Sequence, residues 1–325
     1  MGKARISSGF DPRAIEEAAA LLASGEVVVF PTETVYGLGA DAFNPSGVAR
    51  IFELKRRPRF DPLIVHISHR DWVSDLAVAV PKGAHALMDR FWPGPLTIIL
   101  KKREAVPDIV TAGLSTVGIR MPRHEVALRL IDRLGRPIAA PSANPFGYMS
   151  TTTAADVVSL FDDRLPMILD GGPSSYGIES TIVSVIEDRL RLHRHGSIPV
   201  EDLEKAAGPI IEKGPGDPTC ESPGELPYHY APHTPLRIVA GPEEIERSDS
   251  AYLAFRKPDR EVRSRHVRVL SERGDMREAA ARFFSCLIAL DREEPKIIYA
   301  ERIAEIGLGK AIMERLRKAA KKAGA

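Results

Sequence analysis

Basic and small polar residues lie just past several apolar runs of this chain. Lys55 and Arg57 follow a helical pattern, Arg120 lies in STVGIRMP, and Ser142 and Asn144 lie in APSAN. Arginine and lysine bind phosphate and carboxylate oxygens, while serine and asparagine add hydrogen bonds without adding charge. This mixture predicts a site for an anionic nucleotide together with a small polar co-substrate.

Composition narrows the class of protein. The 325 residues predict two domains at roughly 150 residues each. With 45 Lys and Arg against 44 Asp and Glu, the net charge is +1, so any RNA contact would be weak and local. The distant Cys220 and Cys286 predict neither a disulfide framework nor a zinc site, which favours a reducing cytoplasm. The start lacks an apolar signal core and no apolar run reaches ~18 residues, so we expect a cytoplasmic protein with no membrane partner.

The elements that must position these residues follow an alternating pattern over 1–207. Helices are predicted to begin at Asp11-Pro12 and Asn44-Pro45, where a capping side chain precedes a proline. Strand candidates are EVVVFP, PLIVHI, LTIILKK, VGIRM, PIAAP, PMILDG and STIVSVI, whereas TETVYGLG is expected to be a loop. The fold class predicted is α/β, with a twisted open mixed sheet covered by helices.

The second half of the chain divides into a linker and a small domain. Residues 208–235 are dense in proline and glycine and lack helical periodicity, so they are predicted to be a linker. Strand and helix patterns resume over 236–325, where we expect a smaller Rossmann-like α/β domain.

Each candidate residue also has a structural explanation. Lys55 and Arg57 would suit the last turn of a helix, where cations complement the helix dipole, although Pro58 ends that helix and lets basic side chains turn toward one anion. The glycines of YGLGAD lack the GxGxxG spacing of a dinucleotide fingerprint. Glu179, Ser180 and Arg194 lie in GIESTI and RHG, and each alone is more often structural than functional.

Several segments, taken in order, resemble one family. KRRP with PLIVHI, WPGPLTIIL, VGIRMP, APSAN, GIESTI and RHG are similar to the threonylcarbamoyl-adenylate synthase family, whose amino-terminal domain is YrdC-like. YHYAPHTPL and GLGKAIMERLRKAA resemble its longer, two-domain branch. The resemblance implies an L-threonylcarbamoyladenylate synthase, a nucleotidyltransferase that makes threonylcarbamoyl-AMP and pyrophosphate from L-threonine, bicarbonate or CO2, and ATP. A separate tRNA-modifying threonylcarbamoyl transferase would then use the product beside the anticodon.

The resemblance also implies roles for particular residues. Lys55, Arg57, Ser142 and Asn144 would be catalytic, with Lys55 and Asn144 beside the phosphates. ATP would be bound by Arg57, Asp61, Thr116, Ser142, Ser150, Arg194 and Tyr230, and threonine by Thr34, His66, Arg120, Ala140 and Ser180. Mg²⁺ would be held by ATP phosphates and water, with no ligand from the protein. Tyr230 would fold back with the linker as a lid over the nucleotide.

Two alternatives belong to other classes. A tRNA- or double-stranded-RNA-binding module would use the basic cavity, and its affinity would fall steeply with salt. A carbamoyl-transfer enzyme of hydrogenase maturation shares a similar domain but carries zinc-finger segments, which two isolated cysteines cannot build. Pyrophosphate release that depends on threonine and bicarbonate would distinguish the synthase from both.

Overall fold

The computed structural model describes residues 5–161, 164–186, 189–212 and 230–321. Cys220 and residues 213–229 of the predicted linker lie outside the described residues. In the described part, the first domain contains eleven strands in one sheet. They are β1 (Arg5–Ser8), β2 (Val28–Phe30), β3 (Gly37–Asp41), β4 (Ile64–His66), β5 (Leu96–Lys101), β6 (Thr116–Arg120), β7 (Ile138–Ala140), β8 (Met167–Asp170), β9 (Thr181–Ile186), β10 (Arg189–Arg194) and β11 (Ile211–Glu212).

The sheet is mixed, with the order β1-β8-β2-β3-β7-β4-β6-β5-β9-β10-β11. Strands β4 and β6 are parallel, while β3, β7 and β4 pair antiparallel in turn. The helices that accompany it are α1 (Pro12–Ala23), α2 (Pro45–Lys55), α3 (Val73–Leu76), α4 (Lys82–Phe91), α5 (Asp108–Thr111), α6 (Glu125–Leu134), α7 (Ala154–Phe161) and α8 (Val200–Ala207). The predicted mixed α/β class is therefore confirmed.

A smaller parallel sheet follows, in the order β12-β15-β13-β14. Its elements are β12 (Leu236–Val239), β13 (Ala251–Ala254), β14 (His266–Val269), α9 (Met276–Asp291), β15 (Ile298–Glu301) and α10 (Leu308–Lys321). Every strand pair in it is parallel, which confirms the predicted Rossmann-like α/β character of this part.

Helix starts follow the capping rules that the sequence predicts. Asp11 Oδ1 accepts a hydrogen bond from the Arg13 amide, and Asn44 Oδ1 accepts from the Ser46 and Gly47 amides. The proline after each cap occupies the first helical position, where a missing N–H costs nothing. The Asn44 cap fixes where α2 begins, and Lys55 and Arg57 lie at and just after the carboxyl end of this helix.

One predicted loop is in part a strand. TETVYGLG was expected to be irregular, but Gly37–Asp41 forms β3 between β2 and β7. A Cβ atom at Gly39 would lie 2.7 Å from Ile138 Cγ2 and 2.7 Å from a ring carbon of Phe30. Glycine is present because neighbouring side chains cross the strand closely, a tertiary requirement that outweighs its low strand propensity.

Loops of the first domain share a hydrophobic core with the second domain. Val35, Met149 and Ile178, which lie on loops of the first domain, are buried in one cluster with Phe283 and Phe284 of α9. Gly177 has a φ of 69°, and a Cβ there would lie 2.3 Å from the Ala281 carbonyl oxygen, so this loop runs directly against α9. The second domain therefore supports loops that belong to the first.

Candidate active site

A cleft opens across the face of the large sheet. It is lined by Thr32, Thr34, Val35, Tyr36, Gly37, Arg57, Ile64, His66, Arg120, Ala140, Pro141, Ser142, Glu179, Ser180, Arg194 and Tyr230. The structure thus brings together most of the site residues that the sequence singles out. Lys55, Asp61, Thr116, Asn144 and Ser150 stand behind this lining, in the positions given below.

Strand register sets two of the lining residues side by side. The parallel pairing of β4 and β6 places His66 directly opposite Arg120. The antiparallel pairing of β4 and β7 places Ala140 opposite Ile64, and alternate residues of a strand share a face. His66, Arg120 and Ala140 therefore project from the same face of the sheet, and Thr34 approaches them from the loop after β2.

Arg120 is held by a buried carboxylate. Its Nη2 lies 2.9 Å from Glu33 Oε2, and both side chains are less than 5% exposed. A buried arginine needs such a partner because an isolated charge pays a large desolvation cost. The sequence gives Glu33 no individual role: its only signal is its position in a polar loop after a buried strand, where ligands of α/β proteins commonly bind.

His66 is neutral at physiological pH. Burial, and then the neighbouring Arg120 charge, lower its pKa from 6.5 to about 3. Its Nδ1 lies 3.1 Å from the Ile64 carbonyl oxygen, which only accepts hydrogen bonds, so Nδ1 carries the proton. Nε2 is then the acceptor of the ring, and Phe30 packs edge-on against it with ring centroids 5.9 Å apart.

Ser180 and Arg194 form another wall of the cleft. Ser180 precedes β9, and Arg194 ends β10, which runs antiparallel to β9 and therefore returns to the same edge. Arg194 Nη2 donates to the Ser180 carbonyl oxygen at 3.0 Å and lies 3.1 Å from Ser180 Oγ. Thr97 Oγ1 lies 2.8 Å from the same hydroxyl, so Ser180 is fixed from two directions.

Arg57 reaches the cleft from the turn that follows α2. Its Nη2 lies 2.8 Å from Asp61 Oδ1 and also donates to the Pro62 carbonyl oxygen at 2.8 Å. Asp61 is fully buried behind this arginine. Thr116 lines a smaller adjoining cavity that shares Ile64 with the main cleft.

Lys55 and Asn144 brace the APSAN loop from behind. Lys55 Nζ donates to the Ser142 carbonyl oxygen at 2.6 Å and to the Asn144 carbonyl oxygen, and the side chain is buried. Burial, followed by the neighbouring Arg57 charge, lowers the pKa of Lys55 well below its ordinary value. Asn144 Nδ2 donates to the Pro145 and Tyr148 carbonyl oxygens, each at 2.9 Å.

Ser150 lies behind the cleft wall at Glu179, and Tyr230 lines the cleft beside Glu179. Ser150 Oγ donates to Glu179 Oε1, and the Tyr230 ring lies on the cleft wall with only 2% of the residue exposed. Tyr230 has a φ of 64°, which is uncommon for an aromatic residue and directs this end of the linker into the cleft. Glu179 itself was noted in GIESTI but was assigned no role.

No group of three His, Cys, Asp or Glu side chains is placed to hold a metal ion in residues 5–161, 164–186, 189–212 and 230–321. The buried carboxylates of Glu33, Asp61 and Glu179, in or near the cleft, each pair with an arginine. Within the same ranges, no helix is both long and apolar enough to cross a membrane.

A mixed sheet with a basic cleft, followed by a small parallel sheet, defines a two-domain α/β protein. A family model for Sua5, YciO and YrdC proteins, described as "Telomere recombination", matches residues 20–196. A second, described as "Threonylcarbamoyl-AMP synthase, C-terminal domain", matches residues 198–321. The chain belongs to the threonylcarbamoyl-AMP synthase family and is an enzyme of the nucleotidyltransferase type.

Relatives match over nearly the whole chain. A threonylcarbamoyl-AMP synthase of Bacillus subtilis is 44% identical over 324 residues, with 95% of this chain and 93% of that protein covered. One of Pyrococcus abyssi is 42% identical over 317 residues, with coverage of 94% and 93%. A crystal structure of P. abyssi Sua5 complexed with L-threonine superposes with a TM-score of 0.88 at 40% identity, covering 95% and 94% of the two chains. The two alternative functions are not favoured.

Proposed function

We propose that this enzyme joins L-threonine, carbon dioxide or bicarbonate, and ATP into threonylcarbamoyl-AMP, with release of pyrophosphate. The observation that supports it most is the convergence, in one cleft, of the register-paired His66 and Arg120 with Ser180, Arg194 and Arg57. The phosphates of ATP and the carboxylate of threonine need cations at separate points of one cavity, and this cleft offers them.

The reaction has two steps whose requirements differ. The threonine amine adds to CO2 and loses a proton, which gives a carbamate. A carbamate oxygen then attacks the α-phosphorus of ATP, forming a P–O bond while the bond to the β-phosphate oxygen breaks and pyrophosphate leaves. The carbamate is unstable in water, so holding it beside the phosphate can supply on the order of 7–11 kcal/mol of the barrier.

The threonine half of the cleft suits an amino acid. The Arg120 guanidinium, oriented by Glu33, would bind the carboxylate of threonine. Thr34, Ser180 and the Ala140 backbone would supply hydrogen bonds nearby. The reacting amine must be uncharged, and a neutral His66 avoids adding a second positive charge where an ammonium group has to lose its proton.

The nucleotide half uses arginines and a braced loop. Arg57, Arg194 and Ser142 would bind ATP from the cleft wall, with Tyr230 over the nucleotide. Lys55 binds two carbonyl oxygens of the APSAN loop, so we assign it and Asn144 the task of fixing that loop beneath the phosphates. Three further residues would support ATP binding from behind the cleft wall. Asp61 would orient Arg57, and Ser150 would orient Glu179. Thr116 would contribute from the adjoining cavity.

The wider setting completes the proposal. Mg²⁺ would accompany ATP, held by phosphate oxygens and water, and would supply further positive charge at the phosphates. A tRNA-modifying transferase in the cytoplasm would consume the product, because a mixed carbamic–phosphoric anhydride is too reactive to store.

Pyrophosphate release provides the test. With ATP and Mg²⁺ present, release should require both L-threonine and bicarbonate, and D-threonine should replace the L form poorly. Release at the same rate without threonine would overturn the proposal.

A further inference from the structure

Arg315 is a buried cation of the second domain that contacts the cleft of the first. It lies on α10, in a sequence that looks like an ordinary amphipathic surface helix, yet its side chain is only 1% exposed. Its Nε and Nη2 each lie 2.7 Å from Glu179 Oε2. Nη1 donates to the His195 carbonyl oxygen at 3.0 Å and to the Ala311 carbonyl oxygen at 2.8 Å, so the fork is locked in place.

Glu179 connects this arginine to the cleft. One carboxylate oxygen binds Arg315, the other accepts from Ser150 Oγ, and the residue lines the cleft beside Arg194. The Arg315 guanidinium also lies over the Tyr230 ring, 5.3 Å from its centroid. Three groups assigned to ATP therefore surround one carboxylate.

The negative charge of Glu179 would oppose the binding of an anionic nucleotide unless a cation neutralises it. Burial alone would raise the pKa of Glu179, but the charges of Arg315 and then Arg194, with the Ser150 hydrogen bond, bring it down to about 2. Glu179 is thus ionised in a cleft proposed to receive a triphosphate of about four negative charges. Without Arg315, it would repel the nucleotide and draw on Arg194.

We propose that Arg315 is a positioning residue for the nucleotide half of the site: it holds Glu179 and neutralises its charge, so that this carboxylate does not oppose the binding of ATP beside Arg194. The second domain thereby completes the electrostatics of a cleft whose lining, among the described residues, comes from the first domain and Tyr230. This inference rests on the proposed function for the identity of the nucleotide.

Direct binding of Mg·ATP by calorimetry, at pH 7.5, is the primary test. Arg315→Met should weaken ATP binding on the order of 30-fold, since it leaves a buried carboxylate unpaired. Arg315→Met combined with Glu179→Gln should restore affinity to within roughly fivefold of the parent enzyme, because both charges are then gone. Arg317→Met is the matched control, because Arg317 lies on the same helix in an exposed pair with Glu305, and it should bind ATP normally.

A pH series separates charge from packing. The charged or titratable groups that interact with Glu179 are Arg315 on α10, Arg194 on β10 and Tyr230, and Glu314 on α10 faces Arg315 and Tyr230. Removing Arg315 lets the pKa of Glu179 rise, so the carboxyl becomes protonated as pH falls. The ATP affinity of Arg315→Met relative to the parent should therefore recover between pH 8 and pH 6, whereas a purely packing defect would not respond in this way.

Each outcome decides the matter. Normal ATP binding by Arg315→Met overturns the proposal, as does equal weakness of the single and double variants without recovery at low pH. Should Arg315→Met fail to fold, Arg315→Lys keeps the charge and is expected to bind ATP within roughly fivefold of the parent; a folded Arg315→Lys protein that has lost ATP binding overturns the proposal too. If the ATP results hold but pyrophosphate release ignores threonine, the proposed function fails and the role of Arg315 stands.

Discussion

At the scale of single residues, the cleft is organised by arginine–carboxylate pairs. Three buried carboxylates each pair with one arginine: Glu33 with Arg120, Asp61 with Arg57, and Glu179 with Arg315. Such pairs add little net stability, but removing one partner leaves a costly buried charge. Their value here is orientation: each guanidinium is fixed before a substrate arrives, which lowers the ordering cost of binding.

Replacing Arg120 by lysine should weaken the binding of threonine but not the binding of ATP. Arg120→Lys keeps a charge for Glu33 but loses the planar fork that binds a carboxylate with two hydrogen bonds. KM for threonine should rise about tenfold, while KM for ATP should change less than about twofold. Steady-state pyrophosphate release measures both values. Arg129→Lys, in an exposed pair with Glu125, is the control; equal effects on both substrates would contradict the assignment.

His66 should make stability depend on pH in a defined window. Its folded pKa of about 3 is below its ordinary 6.5, so the unfolded chain binds the proton more readily. Its contribution to stability is therefore complete above pH 6.5 and is lost progressively as pH falls toward 3. Between pH 6.5 and pH 5, the loss should be on the order of 1–2 kcal/mol.

Urea unfolding of the parent and of His66→Gln at pH 7.5 and pH 5 measures this loss. The variant should lose less stability than the parent between the two values. Identical losses would show that His66 accepts its proton as readily in the folded protein as in the unfolded chain.

At the scale of elements, caps and apolar runs were readable from the sequence, whereas register and close approach were not. Asp11 and Asn44 announced two helices through local chemistry. The neighbourhood of His66 and Arg120 depends on which strands pair, which no local pattern encodes. The sequence predicted a loop at Gly39, where the structure has a strand. Glycine is needed there because Phe30 and Ile138, which belong to other elements, pass close to the strand.

A substitution at Gly177 tests whether packing against α9 holds the loop before β9 in place. Gly177→Ala would combine a left-handed φ of 69° with a Cβ 2.3 Å from the Ala281 carbonyl oxygen, so the loop bearing Glu179 must shift from α9. We expect a loss of roughly 2–4 kcal/mol in the free energy of unfolding, and reduced activity. Gly113→Ala also has a left-handed φ, 78°, but open space, and should cost only about 1 kcal/mol. Equal costs would contradict the packing explanation.

At the scale of the whole molecule, the two sheets act as one unit around the site. Loop residues of the first domain are buried among side chains of the second, and Tyr148 Oη donates to Asp291 Oδ2 at 2.7 Å across the same junction. Asp291 also accepts from the amides of His233 and Thr234, which ties the end of the linker to this point. The sequence predicted two domains and a connecting segment, but the arginine that links them on α10 carried no signal, because amphipathic helices commonly expose arginine.

Removing residues 208–325 should therefore reduce product formation and also expose apolar loop residues of the first domain. The truncated protein should form little product, and Val35, Met149 and Ile178 should become exposed. Binding of a fluorescent apolar dye should increase relative to the full chain, since new apolar surface is accessible. Full product formation by the truncated protein would contradict any role of the linker and second domain in the site.

We propose that one cleft assembles threonine, a one-carbon unit and AMP into a single molecule. Incubation with ¹⁵N-threonine, ¹³C-bicarbonate, ATP and Mg²⁺, followed by rapid mass spectrometry, tests this reaction. We predict an adduct that contains AMP and carries both labels, formed together with pyrophosphate. Pyrophosphate and AMP without a doubly labelled adduct, under conditions where authentic product survives, would contradict it.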